Sequence, residues 1–129
     1  MDLSDKKVLL VEDNEMNRMM ASISFSDYSL EPEEACDGAE AVKTFTDKPE
    51  GYYDMIFMDI MMPVMDGIEA TKAIRALDRP DAGYVPIIAM TAESDPDEIA
   101  KYTDYGFTEY IEKPMEMEEL EAVLQKYLM

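Results

Sequence analysis

Short apolar runs that end at carboxylates punctuate this chain. Val8-Leu9-Leu10-Val11 leads directly into Glu12-Asp13, and Met55-Ile56-Phe57-Met58 leads into Asp59. Runs of this length between polar breaks read as strands buried on both faces. Lys7 to Val11 is therefore strand 1 and Asp54 to Met58 strand 3. Val85 to Met90, ended by Thr91, reads as strand 4 despite Pro86, and Thr108 to Ile111 as strand 5, closing near Glu112-Lys113-Pro114. Tyr28 to Ala35 is weakly patterned and holds Pro32, which has no N–H for a ladder; a strand 2 here belongs at a sheet edge.

Between these runs the apolar period lengthens from continuous to three-and-four spacing, the signature of helices. Asn14 or Asp13 can cap a helix 1 whose apolar positions are Met16, Met19, Met20 and Ile23. The turn signal Asp37-Gly38 introduces helix 2, with Ala41, Val42 and Phe45 as its stripe. Asp66 offers a cap to helix 3, striped by Ile68, Thr71, Ile74 and Leu77. Ser94-Asp95-Pro96 opens a helix 4 that stops near Gly106, and Met117, Leu120, Val123, Leu124, Tyr127 and Leu128 share one face of helix 5. Strands alternating with helices in this way predict an α/β domain with a mostly parallel sheet covered on both faces. At 129 residues a single domain over 1–129 is expected.

Charge and composition narrow the chemistry. Thirty acidic against eleven basic residues leave a net charge of −19, which repels nucleic-acid backbones and anionic lipid. No apolar stretch approaches the ~18 residues of a membrane span, and the first residues carry no secretory signal, so a cytoplasmic location is expected. The lone Cys36 reads as a small buried residue, and the thirteen methionines as soft core filler. Histidine is absent, which excludes Ser-His and Cys-His nucleophile pairs and any phosphohistidine formed within the chain. No glycine-rich nucleotide loop is present either.

A parallel sheet brings the ends of strands 1, 3, 4 and 5 to one edge, and with them Glu12, Asp13, Asp59, Thr91 and Lys113. Three carboxylates there would repel unless a cation lay among them, and all-oxygen ligands select a hard ion such as Mg²⁺. A metal, a lysine, a carboxylate and a hydroxyl suit phosphoryl transfer, with Asp59 as the nucleophile that forms an aspartyl phosphate.

The motifs Val-Glu12-Asp13-Asn14, Met-Asp59-Ile-Met-Met-Pro63-Val-Met-Asp66-Gly67, Thr91-Ala92 and Lys113-Pro114 resemble, in order and spacing, those of response-regulator receiver domains of two-component signalling. The stretch Glu12-Asp13-Asn14-Glu15-Met16-Asn17-Arg18 is similar to receivers of hybrid histidine kinases. The resemblance implies a flavodoxin-like, doubly wound sheet of five strands ordered 2-1-3-4-5 with five helices. It implies that Asp59 accepts a phosphoryl group from a histidine kinase or histidine phosphotransfer protein. Asp13, Asp59 and the backbone carbonyl of Met61 would hold Mg²⁺ with Glu12 in support, and Lys113 would pair with phosphoryl oxygens. Thr91 and Tyr110 would form a switch that reports to the face of helix 4, strand 5 and helix 5, where a downstream protein or fused output domain would read it. The Lys113–Pro114 peptide would be cis. Met61 and Glu93 fall where side chains influence attack by water on the phosphorylated state.

Taken singly, these residues have plainer readings: Asp13 and Asp66 as caps, Thr91 as a turn residue, Lys113 as surface charge, Tyr110 as core. For Asn14 and Asn17, capping or surface polarity is the preferred reading. Two rivals compete with the switch. One is an interaction module of the same fold that no longer takes phosphate. The other is a phosphatase working through an aspartyl phosphate, which would need a second Asp two residues after the nucleophile, where this chain has Met61. No metabolic substrate is expected.

Overall fold

The computed structural model describes residues 2–128. Strands β1 (Val8–Val11), β2 (Glu33–Ala35), β3 (Met55–Asp59), β4 (Ile87–Thr91) and β5 (Glu109–Glu112) alternate with helices α1 (Glu15–Ser26), α2 (Gly38–Asp47), α3 (Gly67–Arg75), α4 (Pro96–Tyr105) and α5 (Met117–Leu128). All four strand pairings are parallel, in the expected order β2-β1-β3-β4-β5. A short 3-10 turn at Pro80–Gly83, absent from the sequence reading, precedes β4. Strand β2 shrinks from the anticipated Tyr28–Ala35 to three residues because its ladder can begin only after Pro32. Tyr28 and Leu30 join the core instead.

The continuous apolar strands split their side chains between two cores, as period-two geometry requires. Leu9, Val11, Ile56, Met58, Ile87 and Ala89 face Ala41 and Phe45 of α2, Ala70 and Ile74 of α3, and Tyr102 of α4. Val8, Leu10, Met55, Phe57, Ile88 and Met90 face Phe25 of α1 and Leu120, Val123, Leu124 and Leu128 of α5. Each fully buried side chain of this size contributes about 1.5–3 kcal/mol, so the two-sided burial of β1, β3 and β4 dominates the fold's stability. Asn14, Asp37, Asp66 and Asp95 each cap a helix by accepting a backbone N–H of its first turn. Asp37 thus begins α2 rather than merely turning the chain.

Two expectations are corrected, the methionines as core filler and Cys36 as a buried residue. The apolar stripe of α1 faces outward, with Met16, Met19, Met20 and Ile23 between 58% and 69% exposed. The helix is instead pinned by Phe25, whose ring lies 5.1 Å from that of Phe57, and by Arg18, whose guanidinium donates to the Glu12 carbonyl at 2.8 Å. Core filling describes Met55, Met58 and Met90, but not these methionines or Met61. Cys36 is exposed, because it lies just past the end of β2, where the chain leaves the sheet.

At the sheet edge opposite the strand C-termini, Arg79 grips the buried Asp81 through two N–H donors at 2.6 and 2.9 Å. The same guanidinium donates to the carbonyls of Phe45 and Lys48 at the end of α2, and the Gly51 N–H donates to Asp81 at 2.8 Å. The Arg79 hydrogen bonds lower the Asp81 pKa, outweighing burial, with help from Gly51. A depressed carboxylate pKa stabilises the fold above its unfolded value, and that stabilisation disappears as pH falls through the folded value. Asp81→Asn is expected to cost roughly 1.5–3 kcal/mol at neutral pH. In urea titrations its deficit against the parent should narrow as pH drops below about 4.

Candidate functional site

The parallel sheet gathers four strand ends at one edge. Asp59 is the last residue of β3 and is 2% exposed, while Glu12 follows β1 and is 3% exposed. Asp13 is exposed beside them. One carboxylate oxygen from each of Glu12, Asp13 and Asp59 lies within 4.8 Å of the others. Lys113, just past β5, places Nζ 2.7 Å from Asp59 Oδ1 and 3.0 Å from Glu12 Oε2. Its peptide bond to Pro114 is cis.

The loop after Asp59 folds tightly back on it. Gly67 begins α3 so close to β3 that a Cβ there would sit 2.1 Å from the Asp59 carbonyl oxygen, and its N–H donates to the Ile60 carbonyl at 2.9 Å. Only glycine permits this approach. In the same loop Val64 has φ of 68°, a costly conformation for a β-branched residue, and both Val64 and Met61 point into solvent.

Burial sets the charge balance. It pushes the Asp59 carboxyl up to about 6, with the Glu12 charge adding to the rise and Lys113 opposing it. Glu12 is buried too, but its pKa is lowered because hydrogen bonds from Lys113, Asn17 and the Asn14 N–H outweigh desolvation. Lys113 is raised, its burial outweighed by hydrogen bonds to Asp59 and Glu12. Asn14 caps α1, as anticipated. Asn17 does more than its plain reading allowed: its side-chain amide donates to Glu12 Oε1 at 3.2 Å. Nothing in the local sequence distinguishes it from a surface amide, since the contact depends on which way α1 is turned.

Thr91, the last residue of β4, is buried. Its Oγ1 accepts the Glu93 N–H at 2.9 Å and shares a hydrogen bond of 2.9 Å with the hydroxyl of Tyr102. Tyr110 is 41% exposed and meets the Tyr102 ring edge-on, 6.4 Å between centroids. Tyr102, which the sequence reading passed over, therefore stands between the two anticipated switch residues. The Glu93 carboxylate accepts the N–H groups of Ser94 and Asp95 ahead of α4. Between α1 and the segment that follows β5 a cleft of about 380 Å³, lined in part by Leu10, Met20, Met90, Ile111 and Met115, reaches Glu12 and Lys113.

An oxygen-only donor set with two buried carboxylates fits a hard divalent cation, and a fixed ammonium on a strand-end carboxylate suits an anionic electrophile. Among the described residues no helix is long and apolar enough to cross a membrane. The family model described as the response regulator receiver domain matches residues 8–125. The osmosensing histidine protein kinase SLN1 of Saccharomyces cerevisiae is 39% identical over 126 residues, covering 94% of this chain and 10% of that protein. The peroxide stress-activated histidine kinase mak3 of Schizosaccharomyces pombe is 34% identical over 123 residues, covering 95% and 5%. The chain thus spans a tenth or less of these relatives.

Among solved structures, the receiver domain of a sensor histidine kinase from Pseudomonas aeruginosa, with magnesium coordinated in its active-site cleft, superposes with a TM-score of 0.83 at 32% identity, covering 95% of this chain and 97% of that one. A co-crystal of the Saccharomyces cerevisiae histidine phosphotransfer signaling protein Ypd1 with the receiver domain of its downstream response regulator Ssk1 matches with a TM-score of 0.83 at 30% identity, covering 95% and 88%.

A carboxyl whose folded pKa lies above its unfolded value opposes folding. The penalty is absent below about 4, grows through about 6 and is full above it. Discounted for partial solvent screening, Asp59 should cost on the order of 1–2 kcal/mol at neutral pH without divalent ions. Asp59→Asn is therefore expected to unfold at higher urea than the parent at pH 7 in EDTA, the gap closing as pH approaches 4. A variant less stable than the parent at pH 7 would contradict this.

Proposed function

The chain belongs to the response regulator receiver domains, and from that membership we propose that it is a phosphorylation switch whose Asp59 takes a phosphoryl group from a phosphohistidine on another protein. The observation that carries the reading is the bridge from Lys113 to both Asp59 and Glu12 inside an all-oxygen pocket. An Asp59 oxygen would attack phosphorus as the N–P bond breaks and its electron pair returns to the imidazole. Lys113, already on Asp59, would follow the charge to a phosphoryl oxygen, where a fixed ammonium lowers the barrier to anionic transfer. Asp13, Asp59 and the Met61 carbonyl would hold Mg²⁺ with Glu12 in support, and the bound ion would neutralise the clustered oxygens. The domain, taken as residues 1–129, would catalyse only its own phosphorylation and dephosphorylation. Thr91 and Tyr110 would relay the change to the face of α4, β5 and α5, for a downstream protein or fused output domain to read. A cytoplasmic setting suits such exchange.

The donor is a histidine kinase or histidine phosphotransfer protein, because this chain has no histidine of its own. Its docking face is α1. Met16, Met19, Met20 and Ile23 are exposed on a helix that starts beside Asp13, and Met20 also lines the cleft reaching Glu12 and Lys113. An apolar patch of this kind at the rim of a site marks a protein contact.

With Mg²⁺ and acetyl phosphate, intact mass should show one added phosphoryl group on the parent and none on Asp59→Asn. A folded, Mg²⁺-loaded parent that takes up nothing would favour the interaction module instead.

Docking separates from chemistry in a second test. Met19→Glu is expected to slow transfer from a phosphorylated phosphotransfer protein at least roughly tenfold, the effect of placing a charge in an apolar contact. Labelling by acetyl phosphate should stay at the parent rate. Equal losses with both donors would remove α1 from docking.

A further inference from the structure

We propose that Tyr102 is a latch in this switch: its hydroxyl holds Thr91 back from Asp59 while its ring keeps Tyr110 turned outward, until phosphorylation breaks the bond. The idea rests on the phosphoacceptor reading above and deepens it by naming the group that sets the resting state.

Tyr102 meets both anticipated switch residues. It comes from the last turn of α4 and is 7% exposed. Its hydroxyl lies 2.9 Å from Thr91 Oγ1 in a buried hydrogen bond. Its ring packs edge-on against Tyr110 and against Phe107, at 6.4 and 5.7 Å between centroids. A threonine hydroxyl has one hydrogen and two lone pairs, and the Glu93 N–H already occupies one pair.

Thr91 sits beside the phosphoacceptor strand, next to Met90, which is in register with Asp59. The proposed switch carries the Thr91 hydroxyl toward a phosphoryl oxygen on Asp59 and so away from Tyr102, whichever of the two hydroxyls donates in the resting bond. The Tyr102 hydroxyl, on a side chain only 7% exposed, would then lose its Thr91 partner, and native proteins avoid leaving such a group unpaired. Tyr102 must therefore shift when Thr91 leaves. Its shift opens the inner side of Tyr110 and moves the end of α4, so one hydrogen bond connects the site to the α4-β5-α5 face.

A phenylalanine would fill the same space, so packing alone does not call for the hydroxyl. If the hydroxyl serves only stability, removing it weakens the fold and leaves ligand affinity alone. If it is a latch, removing it favours the phosphorylated conformation. A net buried hydrogen bond corresponds to roughly a three- to tenfold change in such an equilibrium.

The test titrates the 129-residue chain with beryllofluoride, a phosphoryl mimic, in the presence of Mg²⁺, following the Tyr110 ring signals by NMR. Tyr102→Phe is expected to lower the beryllofluoride midpoint three- to tenfold. In the free variant the Tyr110 signals should move part of the way toward those of the loaded parent. In a Thr91→Ala background the same substitution should change nothing, because the bond is already gone. A Tyr102→Phe midpoint equal to or higher than the parent's overturns the latch while leaving the phosphoacceptor reading intact. A parent that takes no beryllofluoride, or whose Tyr110 ignores it, overturns the switch reading and the latch with it.

Discussion

One ammonium makes this site possible. Asp59 and Glu12 are buried carboxylates at neighbouring strand ends, and Lys113 bonds to both at 2.7 and 3.0 Å. Without that shared counter-charge, burial and mutual repulsion would drive one of them to protonate. The contact joins Glu12 to a residue 101 positions later in the chain. It forms only because the sheet order sets β5 beside β4 and β4 beside β3, so that the lysine stem can reach across the end of β4. Fold and chemistry are thus bound together: the order of strands decides which charges meet, and the charges tolerate burial only in that order.

The first turn of α1 extends the same logic outward. Asn17 holds the Glu12 carboxylate and Arg18 holds the Glu12 carbonyl, while Met16, Met19 and Met20 of the same turns face solvent. A protein seated on those methionines would press on the helix that fixes Glu12, and Glu12 in turn shares Lys113 with Asp59. The exposed face of α1 and the pocket around Asp59 are therefore one mechanical unit. Continuous packing and hydrogen bonds link them, not mere proximity.

Much of this was legible from residue order because the signals were local. Apolar runs ending at Glu12, Asp59 and Thr91 marked strand ends, Asp66 and Asp95 marked caps, and Pro32 marked an edge strand, each through a constraint acting within a few residues. What escaped depended on rotation or on distant partners. The three-and-four spacing of Met16, Met19, Met20 and Ile23 fits either an inward or an outward stripe, and it is Phe25 packing on Phe57 that turns it outward. Asn17 could not be told from a surface amide until α1 was oriented. Tyr102 has the periodicity of any core aromatic, and only the three-dimensional meeting with Thr91 gives its hydroxyl a task. Cys36 was misread because a residue-type preference for burial says nothing about a chain leaving the sheet.

The resting state combines extensive burial with a few specific restraints, and this explains how a small group could redirect a large surface. The two cores on either side of the sheet are apolar and closely packed, so they resist gradual deformation. The restraints at the strand ends are discrete: Lys113 on Asp59, Thr91 on Tyr102, the Tyr102 ring on Tyr110. Each is worth little beside the core. Asp59 is already the strained member, its carboxyl raised to about 6 by burial and by Glu12. Under the proposed switch, adding negative charge there would act first on Lys113 and Thr91, which lie at the strand ends, and leave the cores alone. On the proposed reading such a change would move α4 and Tyr110 together while the sheet beneath them stayed fixed, which is what a two-state element requires.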